Sequence, residues 1–175
     1  MGRDYLRMYK ERLRTAAEAA RIIEPGDWVD YGMFNGKPVA FDQALAARKE
    51  ELSDINVMTA VTVPPIPEVV MKDPQGDVFS YLDLHFSAAS RIMQEKCGGV
   101  FYHPVVFGEA EEYFFQSLDD PEKIGAPRRK AFVVRTTPMD KNGYFNFGLH
   151  NAVAYSQMQS TYNVIVEVNK NLPRA

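Results

Sequence analysis

KAFVVRTTPMDKNGYFNFG (residues 130–148) runs into LHNAVAYSQMQSTYN (149–163) and then VIVEVNKNLPRA (164–175). This order predicts a strand over Ala131–Thr136, a glycine-bounded aromatic loop, a helix over Leu149–Tyr162 and a second strand over Val164–Val168. A βαβ unit of this kind builds a ligand site at the carboxyl end of its first strand. Parallel strands are stable only when covered on both faces, so the unit implies further structure around it.

The preceding sequence supplies it. Leu6, Tyr9, Leu13, Ala16, Ala17, Ala20 and Ile23 recur at helical spacing and predict one helix over Asp4–Ile23, stopped by Glu24-Pro25-Gly26. Trp28–Tyr31 reads as a short strand, followed by the loop Gly32–Lys37 and a helix from Pro38 to Glu51. Ile55–Val63 is a β-branched strand, and the prolines of VPPIPEVV (63–70) resist regular structure after it. Val78–Leu84 is a further strand, and Ser87 caps a helix that ends at Lys96 before Gly98-Gly99. Val100–Tyr102 is a strand, Glu109–Leu118 a helix, and DDPEKIGAPRRK (119–130) a turn-rich surface connection. Strands alternating with helices indicate an α/β fold with a mainly parallel sheet flanked by helices, and a single domain over residues 1–175.

Composition narrows the function. The 175 residues are 46% hydrophobic and 25% charged, the balance of a soluble globular domain. A net charge of -3 and the lack of a basic face argue against nucleic-acid binding. No apolar run of about 18 residues exists to span a membrane. Cys97 is alone and no secretory leader opens the chain, which fits a reducing cytoplasm.

Two loops follow the carboxyl ends of predicted strands and lead into helices: Gly32–Lys37 and Pro138–Gly148. In such a place, backbone N–H groups and a helix dipole can face a carboxylate, phosphate or thioester oxygen. Tyr144, Phe145 and Phe147 need cover from a ligand, another domain, a partner subunit or this domain's own edge. Neither GxGxxG nor GxxxxGK[ST] is present, which removes the main support for dinucleotide or P-loop chemistry. His85, His103 and His150 lack metal-site spacing and read as isolated histidines, with His150 notable for its place beside the second loop. Arg128, Arg129 and Lys130 suit the phosphates of a large cofactor, and equally a solvated loop. Glu109, Glu111 and Glu112 read as an acidic outer face over Tyr113, Phe114 and Phe115.

With these residues in view, the chain resembles the N-terminal domain of the acetyl-CoA hydrolase/transferase family, nearest its 4-hydroxybutyrate and butyryl-CoA:acetate CoA-transferase branch. The resemblance runs from Tyr9 to Arg174. Its most specific part is PMDKNGYFNFG (138–148) followed by VIVEVNKNLPR (164–174), supported by EPGDWVDYGMFNGKPVAFDQAL (24–45) and SRIMQEKCGGVFYHPVVFGE (90–109). It implies a NagB/RpiA-like N-terminal domain of a two-domain enzyme, and transfer of CoA from an acyl-CoA to a short carboxylic acid such as acetate. It further implies a glutamate nucleophile in a second domain or subunit, so that no catalytic residue belongs to this chain and the chain alone is inactive.

Coenzyme A thioester is then the substrate, with no permanent cofactor and no metal. The resemblance gives the acyl and carboxylate pocket to Gly32, Met33, Phe34, Asn35, Gly36 and Lys37, and to Gly143, Tyr144, Phe145, Asn146, Phe147 and Gly148, with backbone amides as oxyanion donors. Self-association follows from the apolar surface a missing partner would cover. A noncatalytic acyl- or anion-binding module is the competing reading. A hydrolase of the same family is another, and a sugar-phosphate isomerase of similar fold would need a carboxylate pair facing the loops.

Overall fold

A computed structural model describes residues 4–119 and 129–175. Its six strands are β1 (Trp28–Tyr31), β2 (Ile55–Thr59), β3 (Phe79–Asp83), β4 (Val100–Tyr102), β5 (Arg129–Thr136) and β6 (Thr161–Val168). They form one sheet in the order β4-β3-β2-β1-β5-β6, and all of the pairings are parallel. The helices are α1 (Tyr5–Arg12), α2 (Ala16–Ala20), α3 (Ala40–Ala46), α4 (Glu68–Lys72), α5 (Ala88–Lys96), α6 (Ala110–Asp119) and α7 (Ala154–Gln159).

Alternation along the strands divides the core. Val29, Tyr31, Ile55, Val57, Phe79, Tyr81, Ala131 and Val133 share one buried face with Leu45 of α3, Val69 of α4 and Met93 of α5. On the other face Met58 packs with Phe114 of α6, and Phe132 and Val134 pack with Ala154 of α7. A sheet covered on both sides is the α/β architecture that the alternating pattern predicts.

The helices are shorter than their periodicity suggests. The single helix expected over 4–23 is broken after Arg12, because Thr15 and Glu18 form a reciprocal capping box that starts α2. The helix expected over Pro38–Glu51 is α3 plus a 3-10 turn at Lys49–Glu51. Leu149–Tyr162 yields only α7, since Ala152 takes a positive φ of 44° and Thr161 and Tyr162 already belong to β6. The strand expected to reach Val63 stops at Thr59, and the proline-rich run ends in α4, whose first turn starts after Pro67. Most of the 119–130 connection lies outside the described residues, Arg128 included.

Arg129 is not part of a solvated cluster. It is fully buried at the start of β5, 3.3 Å from the Asp30 carboxylate and ringed by Trp28, Tyr113 and Phe114 at 5.4–5.5 Å. Burial pushes the Asp30 carboxyl up, and Arg129 pulls it back only in part. The pair bridges β1 and β5, and removing either partner alone would strand a buried charge. Lys130 turns outward to Glu24 at 2.8 Å and Asp27 at 3.6 Å.

Candidate functional site

β1 has β2 on one side and β5 on the other, so the chain runs one way across the sheet from β1 to β4 and then returns to β1's free edge. The loops leaving β1 and β5 start from adjacent strand ends, which is where open α/β sheets hold ligands. Both predicted loops therefore stand at the switch point.

The first loop is a tight turn laid on β5. Gly32 donates to the Val133 carbonyl at 2.9 Å. A Cβ on Gly32 would lie 2.6 Å from the Gly36 oxygen and 2.7 Å from Val134 Cγ2, so only glycine fits. Phe34 follows at φ 51°, a left-handed conformation costly for a bulky side chain and typical of sites where the surroundings hold the backbone. Phe34 and Asn35 are exposed, whereas Met33 is buried in the cluster with Met58 and Phe114. Lys37 is buried and donates to the carbonyls of Val63 (2.8 Å) and Pro65. Its ammonium braces the post-β2 loop instead of facing the crevice.

The second loop is braced by the chain's last described residues. Asp140 accepts from the N–H groups of Asn142 and Tyr144, both at 2.9 Å, and from Arg174 at 2.8 Å. Asn146 accepts from Gly148 N–H at 2.8 Å and donates to the Ala175 carbonyl at 3.0 Å. A Cβ on Gly148 would lie 2.8 Å from the Pro173 oxygen. The loop motif and the LPR that follows β6 are thus one physical unit.

The three aromatics point to different places. Phe145 meets Tyr9 of α1 with ring centroids 6.1 Å apart, and Gly143 leaves room for the Tyr5 ring. Phe147 meets His150 edge-on at 6.2 Å, and Tyr144 is 68% exposed. The N-terminal helix of the chain itself supplies part of the cover that the aromatics require. Between α1, α2 and the outer flank of β6 lies a groove of about 820 Å³, lined on one side by Gly143 and Phe145. Met139 of the same loop and Val166 and Val168 of β6 also line it.

Internal bonds also narrow the oxyanion expectation. The N–H groups of Gly36, Lys37, Gly143, Tyr144, Asn146 and Gly148 all donate within the protein. These bonds, with those of Gly32 to Val133 and Phe34 to Ala60, stiffen the loops.

Two residues pack against the first loop, and one of them, His150, also reaches the second. Arg135, near the end of β5, donates to the Asn35 carbonyl from Nε at 3.0 Å and from a terminal nitrogen at 2.5 Å. Sequence reading passed over it, although a cation interrupting the apolar run AFVV is a readable signal. His150 is buried, and its ring occupies the space where a Gly36 side chain would be, 2.3–2.4 Å from that ideal Cβ.

The nearby carboxylates are already engaged. Glu167 accepts from the Val39 and Phe41 N–H groups, each at 2.9 Å, and so caps α3 from β6. Asp42 accepts from Tyr31 Oη at 3.2 Å and Glu68 N–H at 2.5 Å; burial lifts its carboxyl to about 6 against these bonds and Lys37. Burial in turn lowers Lys37 to about 8, with Asp42 pulling it up and Arg135 down. Asp83 accepts from Val61 and Thr62 N–H, the Thr62 and Ser90 hydroxyls and His85 N–H. Each of these carboxylates organises backbone, and none of the three forms a free acid–base pair.

A family model for the acetyl-CoA hydrolase/transferase N-terminal domain matches residues 2–175. The chain belongs to that family. Within the acetyl-CoA hydrolase/transferase family it is 31% identical over 166 residues to the butyryl-CoA:acetate CoA-transferase of Anaerostipes caccae, covering 95% of this chain and 35% of that protein. It is 34% identical over 176 residues to a probable butyrate:acetyl-CoA coenzyme A-transferase of Syntrophomonas wolfei, covering 99% and 36%. Among solved structures, RipA from Yersinia pestis superposes with a TM-score of 0.80 at 26% identity, covering 99% of this chain and 40% of that one. The 4-hydroxybutyrate CoA-transferase of Porphyromonas gingivalis shares the fold at a TM-score of 0.64 and 22% identity, covering 98% and 36%. The chain spans little more than a third of the curated relatives it matches.

Proposed function

We propose that this chain forms one wall of the cleft of an acyl-CoA:carboxylate CoA-transferase of the butyrate or 4-hydroxybutyrate type, with acetate as acceptor. The supporting observation is that both glycine-bounded loops leave adjacent strand ends at the β1–β5 switch point, with Arg135 of β5 bonded to the first. Phe34 and Asn35 present an apolar and a polar surface to the crevice, and Arg135 places positive charge where a carboxylate or a developing thioester oxyanion would lie.

The nucleophilic glutamate is supplied by a further domain or subunit, a reading supported by the engagement of Glu167, Asp42 and Asp83. In the transfer, that carboxylate bonds to the acyl carbon and the CoA thiolate leaves; this chain holds the acyl group and excludes water. The purified 175-residue chain should bind butyryl-CoA, shifting the backbone amide resonances of Asn35 and Gly36, and Arg135→Met should weaken that binding about tenfold or more. It should produce no acetyl-CoA from butyryl-CoA and acetate. Turnover by the chain alone, or binding that leaves both loops unmoved, would overturn the reading.

A further inference from the structure

His150 is 5% exposed, and neither ring nitrogen reaches a hydrogen-bond partner. The Arg135 backbone carbonyl faces the ring and favours a proton on it, short of hydrogen-bonding geometry. One side of the imidazole lies on Gly36 in the first loop and another meets Phe147 in the second. An apolar ring would fill this space without burying two unsatisfied nitrogens, whose desolvation costs about 1–3 kcal/mol. Filling space therefore does not account for the imidazole.

We propose that His150 is a positioning residue of the cleft: its neutral ring wedges the two loops at their working separation, and its protonation releases them. The charged groups around it agree. Arg135 from β5 faces the ring, and Lys37 on the Gly36 side has its ammonium turned to the Val63 and Pro65 carbonyls. Neither side chain offers a proton acceptor to an imidazolium, and the Arg135 backbone carbonyl only partly offsets the burial of the ring. Burial, with Arg135, holds His150 below the ordinary histidine value, so the wedge is intact at neutral pH. A histidine with a depressed folded value stabilises its arrangement at higher pH, and that contribution is lost as pH falls through the folded value.

The proposal rests on the CoA-transfer reading for its purpose, but the wedge itself is visible without ligand. In amide and imidazole NMR of the full chain between about pH 8 and about pH 5, the Gly36 and Phe147 amides should shift with the same midpoint as the His150 ring. In His150→Phe, which keeps a flat ring that cannot be protonated, that shared transition should vanish. Butyryl-CoA affinity should fall with His150 protonation in the natural chain and stay flat with pH in His150→Phe. Should the variant not fold, the natural chain decides alone: loop amides that ignore the His150 titration overturn the proposal. A shared transition without butyryl-CoA binding leaves the wedge standing and removes only the CoA-transfer reading.

Discussion

Lys37 and Arg129 show what a residue list conceals. Lys37 stands in a segment that reads as a ligand loop and Arg129 in one that reads as a surface connection, and both are buried because their partners come from elsewhere in the chain: Val63 and Pro65 for Lys37, Asp30 for Arg129. Asp42 is a further buried charge, and its raised carboxyl carries a pH signature. Between about pH 4, the ordinary aspartate value, and about 6, the folded chain holds a proton that the unfolded chain has released, so this contribution to stability falls as pH rises through that window. Asp42→Asn cannot titrate. In denaturant unfolding, the natural chain should therefore gain on Asp42→Asn by on the order of 2–3 kcal/mol as pH is lowered from about 7 to about 4. A gap between the two that does not change with pH would refute the assignment. The glycine-bounded loops were legible because Gly32 and Gly148 are steric necessities, whereas the burial of Lys37 depends on a loop 26 to 28 residues away.

Among the elements, strands were read more faithfully than helices. β1 and β4 match their predicted bounds, since four or three β-forming residues between turn signals leave little choice. Helical periodicity overran at α1, α3 and α7, where a capping box, an early stop and a β-branched strand start intervene. The start of α3 depends on a cap that no local signal marks, because Glu167 reaches it from β6. Glu167→Gln leaves one oxygen and sets an amide N–H₂ against a backbone donor. It should lower stability by about 1–3 kcal/mol, seen as a lower denaturant midpoint at unchanged m-value. An unchanged midpoint would mean that the two bonds contribute nothing net.

For the whole molecule, the α/β class and the parallel sheet followed from alternation, but the strand order did not. Nothing in Val29–Tyr31 or Ala131–Val133 announces that these segments are neighbours; the Asp30–Arg129 pair and the packing of Gly32 on Val134 decide it in three dimensions. The two loops were both named from sequence, yet their departure from adjacent strand ends, and the contact of His150 with Gly36 and Phe147, required that order. β6 ends the sheet with Val164 and Val168 exposed beside the α1 groove.

The Glu167 clip also imposes an order in time. It joins residues 126 and 128 positions apart, so the segment leaving the first loop cannot be fastened until β6 is in place. The first of the two loops to be synthesised is thus followed by a segment that is among the last to become rigid. In pulse-labelled refolding, the Val39 and Phe41 amides should gain protection together with β6 and later than β2; protection of both before β6 forms would rule this sequence out.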